Sequence, residues 1–199
     1  MRTVLLSIVM LTFTTSVASQ AAEKHHHPSV SKYAGQESRT IKSLSPDDIA
    51  ELKRGGGWGL AKAAELNGVP GPAHLLELKD EIHLSADQIS RIEKLYDRMK
   101  ESAIIHGKRL IALEEKLEEH FRKHTITDVI LRDQLGKIAQ VREALRYTHL
   151  AAHLETPAIL SKRQIARYNS LRGYSSPDPY ENIPPGHDPK MWRQHNGCR

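Results

Sequence analysis

His149 and His153 stand four residues apart in a stretch, Asp128 to Glu155, whose apolar residues recur at helical spacing. On an α-helix that interval sets two imidazoles on one face, one turn apart, where they can grip a single transition-metal ion. Twelve histidines scattered at random give about 0.7 pairs at this spacing, and the chain has two. The second pair, His120 and His124, falls near an expected hairpin turn, with His124 on an apolar stripe. His106, alone on that stripe, reads as a core or pH-sensitive histidine. A further set of donors lies towards the ends: His25, His26 and His27, then His187, Met191, His195 and Cys198. Nitrogen and soft sulfur donors of this kind suit copper or nickel, although an unstructured chain must lose entropy to chelate.

No Ser/His/Asp or Cys/His arrangement can be assembled from the remaining residues. The carboxylates of the long helical stretches alternate with lysine and arginine, as in Glu114-Glu115-Lys116, which is the pattern of a solvated face. Gly55-Gly56-Gly57 is not followed by the Gly-Lys-Ser/Thr of a phosphate loop and reads as a hinge. The chemistry in view is ligand binding, and no enzyme is expected.

The elements that must position these groups are helical throughout. Ser45-Pro46-Asp47-Asp48 opens a short helix, with a serine cap, proline in the first turn and acids beside the positive end of the dipole. A second short helix starts at Gly71-Pro72, with Leu75, Leu76, Leu78 and Ile82 on its apolar side. Ser85 and Gln88 form a capping box, and from there Ile89, Ile92, Tyr96, Met99, Ala103, His106, Leu110, Leu113, Leu117 and Phe121 follow at spacings of three and four. One stripe therefore runs along a helix of about 38 residues, on the order of 55 Å long. Thr127 caps a third helix, over about 128–155, buried through Leu131, Leu135, Ile138, Val141, Leu145 and Ala152. So short a connection folds it back along its predecessor. After Pro157, Ser161 and Gln164 repeat the capping box and open a last helix that Gly173 ends. The fold class expected is all-α: a long antiparallel helical hairpin with short flanking helices and disordered tails.

The ends set the compartment. Arg2, the apolar run Val4 to Phe13 and the small residues after it read as a secretory signal over 1–21. The apolar run is too short to cross a bilayer, for which about 20 residues are needed. Removing 1–21 takes away Arg2 alone among the charges, so the net charge of +5 becomes +4. The signs are interspersed and form no basic face for nucleic acid. One cysteine, Cys198, allows no internal disulfide. Residues 22–69 read as a flexible arm with a short helix, 70–173 as the hairpin domain, and 174–199, with five prolines, as a disordered tail.

Leu84-Ser85-Ala86-Asp87-Gln88 and Leu160-Ser161-Lys162-Arg163-Gln164 both match a Leu-Thr/Ser-x-x-Gln pattern, one before the long helix and one before the last. With the export signal and the hairpin, this resembles the periplasmic Spy/CpxP family and its relatives in heavy-metal sensing and resistance, the nickel/cobalt sensor CnrX among them. The resemblance covers about residues 70–173. It implies a bent four-helix hairpin in the periplasm, often a homodimer, without catalytic activity or membrane insertion. It also implies a divalent transition metal (copper, nickel, cobalt or zinc) as ligand, and as partners unfolded envelope proteins, held as a chaperone holds clients, or a membrane sensor or anti-sigma protein. The metal-sensing branch carries a His-x-x-x-Met or similar pair before its last Leu-x-x-x-Gln motif, and here the second member is His153. That branch has a second histidine pair in its first short helix. This chain offers His74 there, with Leu78 in place of the partner and Glu77 one turn on. The site implied is His149 and His153 with His74 and Glu77, given that the first short helix packs against the far end of the hairpin.

Overall fold

A computed structural model describes residues 30–174 together with 183, 188 and 190–192, and among these there is no strand. The elements are α1 (Pro46–Lys53), α2 (Lys62–Glu65), α3 (Pro72–Glu77), α4 (Ala86–Arg122), α5 (Asp128–Glu155), a 3-10 turn at Thr156–Ala158, and α6 (Lys162–Leu171). Residues 1–21, read above as a secretory signal, and nearly all of the tail after Tyr174 lie outside the described residues.

Local chemistry sets these boundaries. At the start of α4, Ser85 Oγ accepts the Gln88 N–H at 3.2 Å and Gln88 Oε1 accepts the Ser85 N–H at 3.0 Å. At the start of α6, Ser161 and Gln164 repeat the exchange at 3.3 and 2.9 Å. The two glutamines then pair with each other, each Nε2 donating to the other's Oε1 at 2.9 Å. Gln88 Nε2 also donates to the Ile159 carbonyl at 2.8 Å, and Gln164 Nε2 to that of His83 at 3.3 Å. The two matching motifs are therefore one structural device. It caps two helices and joins their first turns, with every donor of the amide pair satisfied.

α4 and α5, of 37 and 28 residues, fold back on each other across residues 123–127. Contacts reverse along them as an antiparallel pair requires: Arg98 meets Glu155, Ser102 meets Thr148, and Glu114 meets Arg142. The α5 seam is Gln134, Ile138, Val141, Leu145, His149 and Ala152. Leu135, expected inside, is 48 % exposed whereas Gln134 is 3 % exposed. Spacings of three and four from Leu131 accommodate either residue, and the seam facing α4 selects the first.

Of the stretch 22–69, expected as a flexible arm, residues 36–69 pack with the hairpin. From Gln36 onward the chain belongs to the same compact unit as the hairpin. Ile41, Leu44 and Leu52 share one core with Ala103, Leu110, Ile138, Val141 and Leu145. The approach depends on Gly107, where a Cβ would stand 2.3 Å from the Leu52 carbonyl oxygen. The glycine run serves as a helix stop. Gly55, at φ +71°, and Gly56 donate their N–H groups back to Leu52 and Glu51 at 3.3 and 3.0 Å, the two bonds of a Schellman cap. A second core, Leu75, Ile82, Ile92 and Tyr168, closes the end of the hairpin where α3 and α6 meet.

Candidate functional site

The C-terminal third of α5 is where the chemistry gathers. His149 and His153 are 3 % and 6 % exposed, buried where the apolar pattern would place aliphatic residues. Two stretches of chain cover them: the strap Gly55–Gly59 beyond α1, and residues 69–72, which lead from α2 into α3. His153 Nδ1 lies 2.8 Å from the Val69 carbonyl. Because a carbonyl only accepts, Nδ1 carries a proton, and in the neutral form of the ring the lone pair is on Nε2. Thr156 Oγ1, one turn on, donates to the Pro70 carbonyl at 2.5 Å. Gly71 lies flat against the imidazole, with no room for a side chain: a Cβ there would be 2.5 Å from His153 Nε2.

Between these elements is a cavity of about 370 Å³ whose wall includes His74, His149, His153, Glu51, Glu65, Trp58, Tyr96 and Met99. Trp58 donates its indole N–H to Asp48 at 2.8 Å and lies 4.9 Å beneath the Arg142 guanidinium, in a backbone conformation of φ +44°. Such a backbone is strained for a bulky residue and has to be held by its surroundings. Glu51 pairs with Arg54 and accepts the Trp58 N–H at 3.4 Å.

Three of the four sequence-derived site residues thus reach one cavity: His74 from α3, and His149 and His153 from α5. Glu77 is not on that wall. Its side chain is exposed, and its Oε2 holds His74 Nδ1 at 2.7 Å. His120 and His124 do not share a helical face, because α4 ends at Arg122 and His124, at φ +54°, sits in the turn that stops it. Among the described residues, no three His, Cys, Asp or Glu side chains are grouped closely enough to hold a metal ion as they stand. His149 Nε2 is shut off from solvent and has no hydrogen-bond partner. A buried polar atom left unpaired costs about 1–3 kcal/mol.

Burial holds the His149 pKa below the usual imidazole value of 6.5, and the charge of a protonated His153 pushes it the same way. Glu51 and the Gly56 backbone oppose the shift. The unfolded chain therefore takes up this proton more readily than the folded one. The stabilisation is complete above the ordinary value of 6.5 and is lost as pH falls through it towards the depressed folded value. The thermal midpoint is expected to drop between about pH 7.5 and pH 5.5, above the range in which carboxylates titrate. His149→Gln should flatten that slope. An equal slope in the variant would show that another group carries it.

No protein-family model matches this chain, and no curated protein or solved structure matches it either. Sequence reasoning missed Trp58, Glu65 and the Gly71 contact. Nothing local distinguishes Glu65 in Lys62-Ala-Ala-Glu65 from a solvated acid, since its partners are about 100 residues away. Tyr96 and Met99 were visible only as members of the apolar stripe.

Proposed function

We propose that this chain is an exported, non-enzymatic helical-hairpin protein of the periplasm that binds a divalent transition metal through His149 and His153, with His74 on the same cavity wall. The observation that carries this reading is the pair of buried imidazoles one turn apart, one with an unpartnered Nε2, facing a cavity shared with a third imidazole. The Val69 carbonyl on His153 Nδ1 is the kind of outer partner that orients an imidazole towards a metal and fixes its tautomer. Copper, nickel, cobalt and zinc all suit neutral imidazoles. Because the donors are not already gathered, an ion would draw the strap, α3 and α5 together on binding. The ion is thereby a signal or a cargo, and the shift in packing is what a membrane sensor or anti-sigma partner would read. Helices α3 to α6 are the counterpart proposed for the four-helix hairpin of the Spy/CpxP family, and the motif pair is what supports that likeness.

Titration of the full chain with each of the four metals tests the reading. One equivalent should bind tightly in the wild type. The double variant His149→Ala/His153→Ala should lose it, with affinity falling about 100-fold or more. Unchanged stoichiometry and affinity in the double variant would remove the site.

A second reading, a chaperone-like binder of unfolded envelope proteins, is favoured by one feature. Ile105 on α4 and Tyr147 and Leu154 on α5 are 65, 66 and 75 % exposed, and the last two are seven residues apart on one face. Suppression of client aggregation at equimolar ratio is the expected result, and Tyr147→Ser/Leu154→Ser should abolish it. No suppression by the wild-type chain would end this reading.

A further inference from the structure

Along the two long helices, cations stand one turn from acids: Arg91 beside Asp87, Lys123 beside Glu119, Arg132 beside Asp128 and Lys137 beside Asp133. α6 breaks this pattern. Its charged residues are Lys162, Arg163 and Arg167, with no acid among its ten residues. α1, α4 and α5 each carry an acid in the first turn, whereas α6 begins with two cations at the positive end of its own dipole. Arg163 and Arg167, one turn apart, are a like-charge pair, which costs a helix stability. Both are exposed, and among the described residues neither has a hydrogen-bond or ion-pair partner.

The two arginines line a concavity of about 520 Å³ between α6 and the turn at Ile82 and His83. Gln164 Nε2 donates to the His83 carbonyl at 3.3 Å and holds that turn against the helix. Ser161 and Gln164, also on the wall, are engaged with each other in the cap. That leaves the Arg163 and Arg167 guanidiniums and the His83 imidazole, with no carboxylate on the wall. The concavity shares no residue with the cavity of His149 and His153.

We propose that this concavity binds a phosphate group, gripped by Arg163 and Arg167 with the His83 ring as a further donor. A guanidinium is planar, and its paired N–H groups match two oxygens of one phosphate. A doubly charged oxyanion replaces the repulsion between the two cations by attraction to a shared partner. It also offsets the excess positive charge at the start of α6. The donors are side chains, because Ser161 Oγ already accepts the Gln164 N–H at the helix end. The concavity has room beyond the phosphate itself, so the group can be carried by a lipid or by a soluble phosphate ester.

Inorganic phosphate, titrated into the full chain at low ionic strength, is the probe, read at the arginine Nε–H signals. Those of Arg163 and Arg167 should shift saturably at millimolar phosphate. Arg163→Gln and Arg167→Gln should each weaken binding about 10-fold or more. Arg167→Lys, which keeps the charge and loses the planar fork, should weaken it too. Without phosphate, Arg163→Gln should unfold at the wild-type temperature or above it, since it relieves the like-charge pair; a lower midpoint would contradict the charge argument. Vesicles of phosphatidylcholine with and without phosphatidic acid distinguish the sources. Co-sedimentation only with phosphatidic acid, competed by inorganic phosphate, assigns a lipid headgroup, and phosphate binding without co-sedimentation assigns a soluble ester. Arginine signals that ignore phosphate, or variants that bind it like the wild type, would overturn the site.

Discussion

Gly107→Leu is expected to destabilise the folded chain by about 3 kcal/mol or more, the upper end for overpacking a tight contact. The hydrogen of Gly107 is all that separates the α4 backbone from α1. A Cβ would meet the Leu52 carbonyl oxygen at 2.3 Å and its carbon at 3.0 Å, and both are backbone atoms that no rotamer change can move aside. Alanine gains up to about 1 kcal/mol over glycine inside a helix. Even Gly107→Ala should nonetheless be net destabilising, because α1 must lift and take Leu52, 1 % exposed, out of the core with Ala103 and Leu110. Thermal or denaturant unfolding of the two variants measures this. A stabilised Gly107→Ala would mean that α1 does not pack as described.

The second large effect belongs to the site. Gly71→Val should break the hydrogen bond between His153 and Val69 and turn the imidazole out of the wall. Here the backbone has ordinary extended angles, φ −99° and ψ 153°, so valine suffers no torsional strain. The whole effect comes from its side chain, whose Cβ would lie 2.5 Å from Nε2 and 2.6 Å from Cε1 of His153. The neighbouring Pro70 and Pro72 are fully buried, so the segment has nowhere to retreat. Both metal binding and stability should fall, the latter by about 1–3 kcal/mol. A chemical-shift spectrum in which His153 is unmoved by Gly71→Val would contradict the placement of residues 69–72 over α5.

The helices were legible because their determinants are local. Ser45, Ser85, Thr127 and Ser161 each accept a hydrogen bond from the residue three positions on, and a motif of four residues carries all of that information. The pairing of Gln88 with Gln164 was half legible: the repeat of the motif was visible, but not that its two copies touch. The packing of residues 36–69 was not legible, because what permits it is a missing side chain in the middle of a 37-residue helix. Gly107 inside a strong helical pattern looks like a small defect until the partner that fills its space is known. The histidine pair was read from spacing alone, and its burial follows from its place on the α5 seam. Glu77 was read as a ligand because it is one turn from His74 in sequence, yet that proximity spends its carboxylate on His74 itself.

The imidazole nitrogens of the full chain offer the most direct test. A long-range proton–nitrogen correlation spectrum recorded before and after one equivalent of zinc resolves each ring, its tautomer and its Nε2. The account predicts that His149 and His153 shift at Nε2, with His153 keeping its proton on Nδ1. A spectrum in which the ion moves only His25, His26, His27, His187 or His195, and leaves the two buried rings where they were, would contradict it.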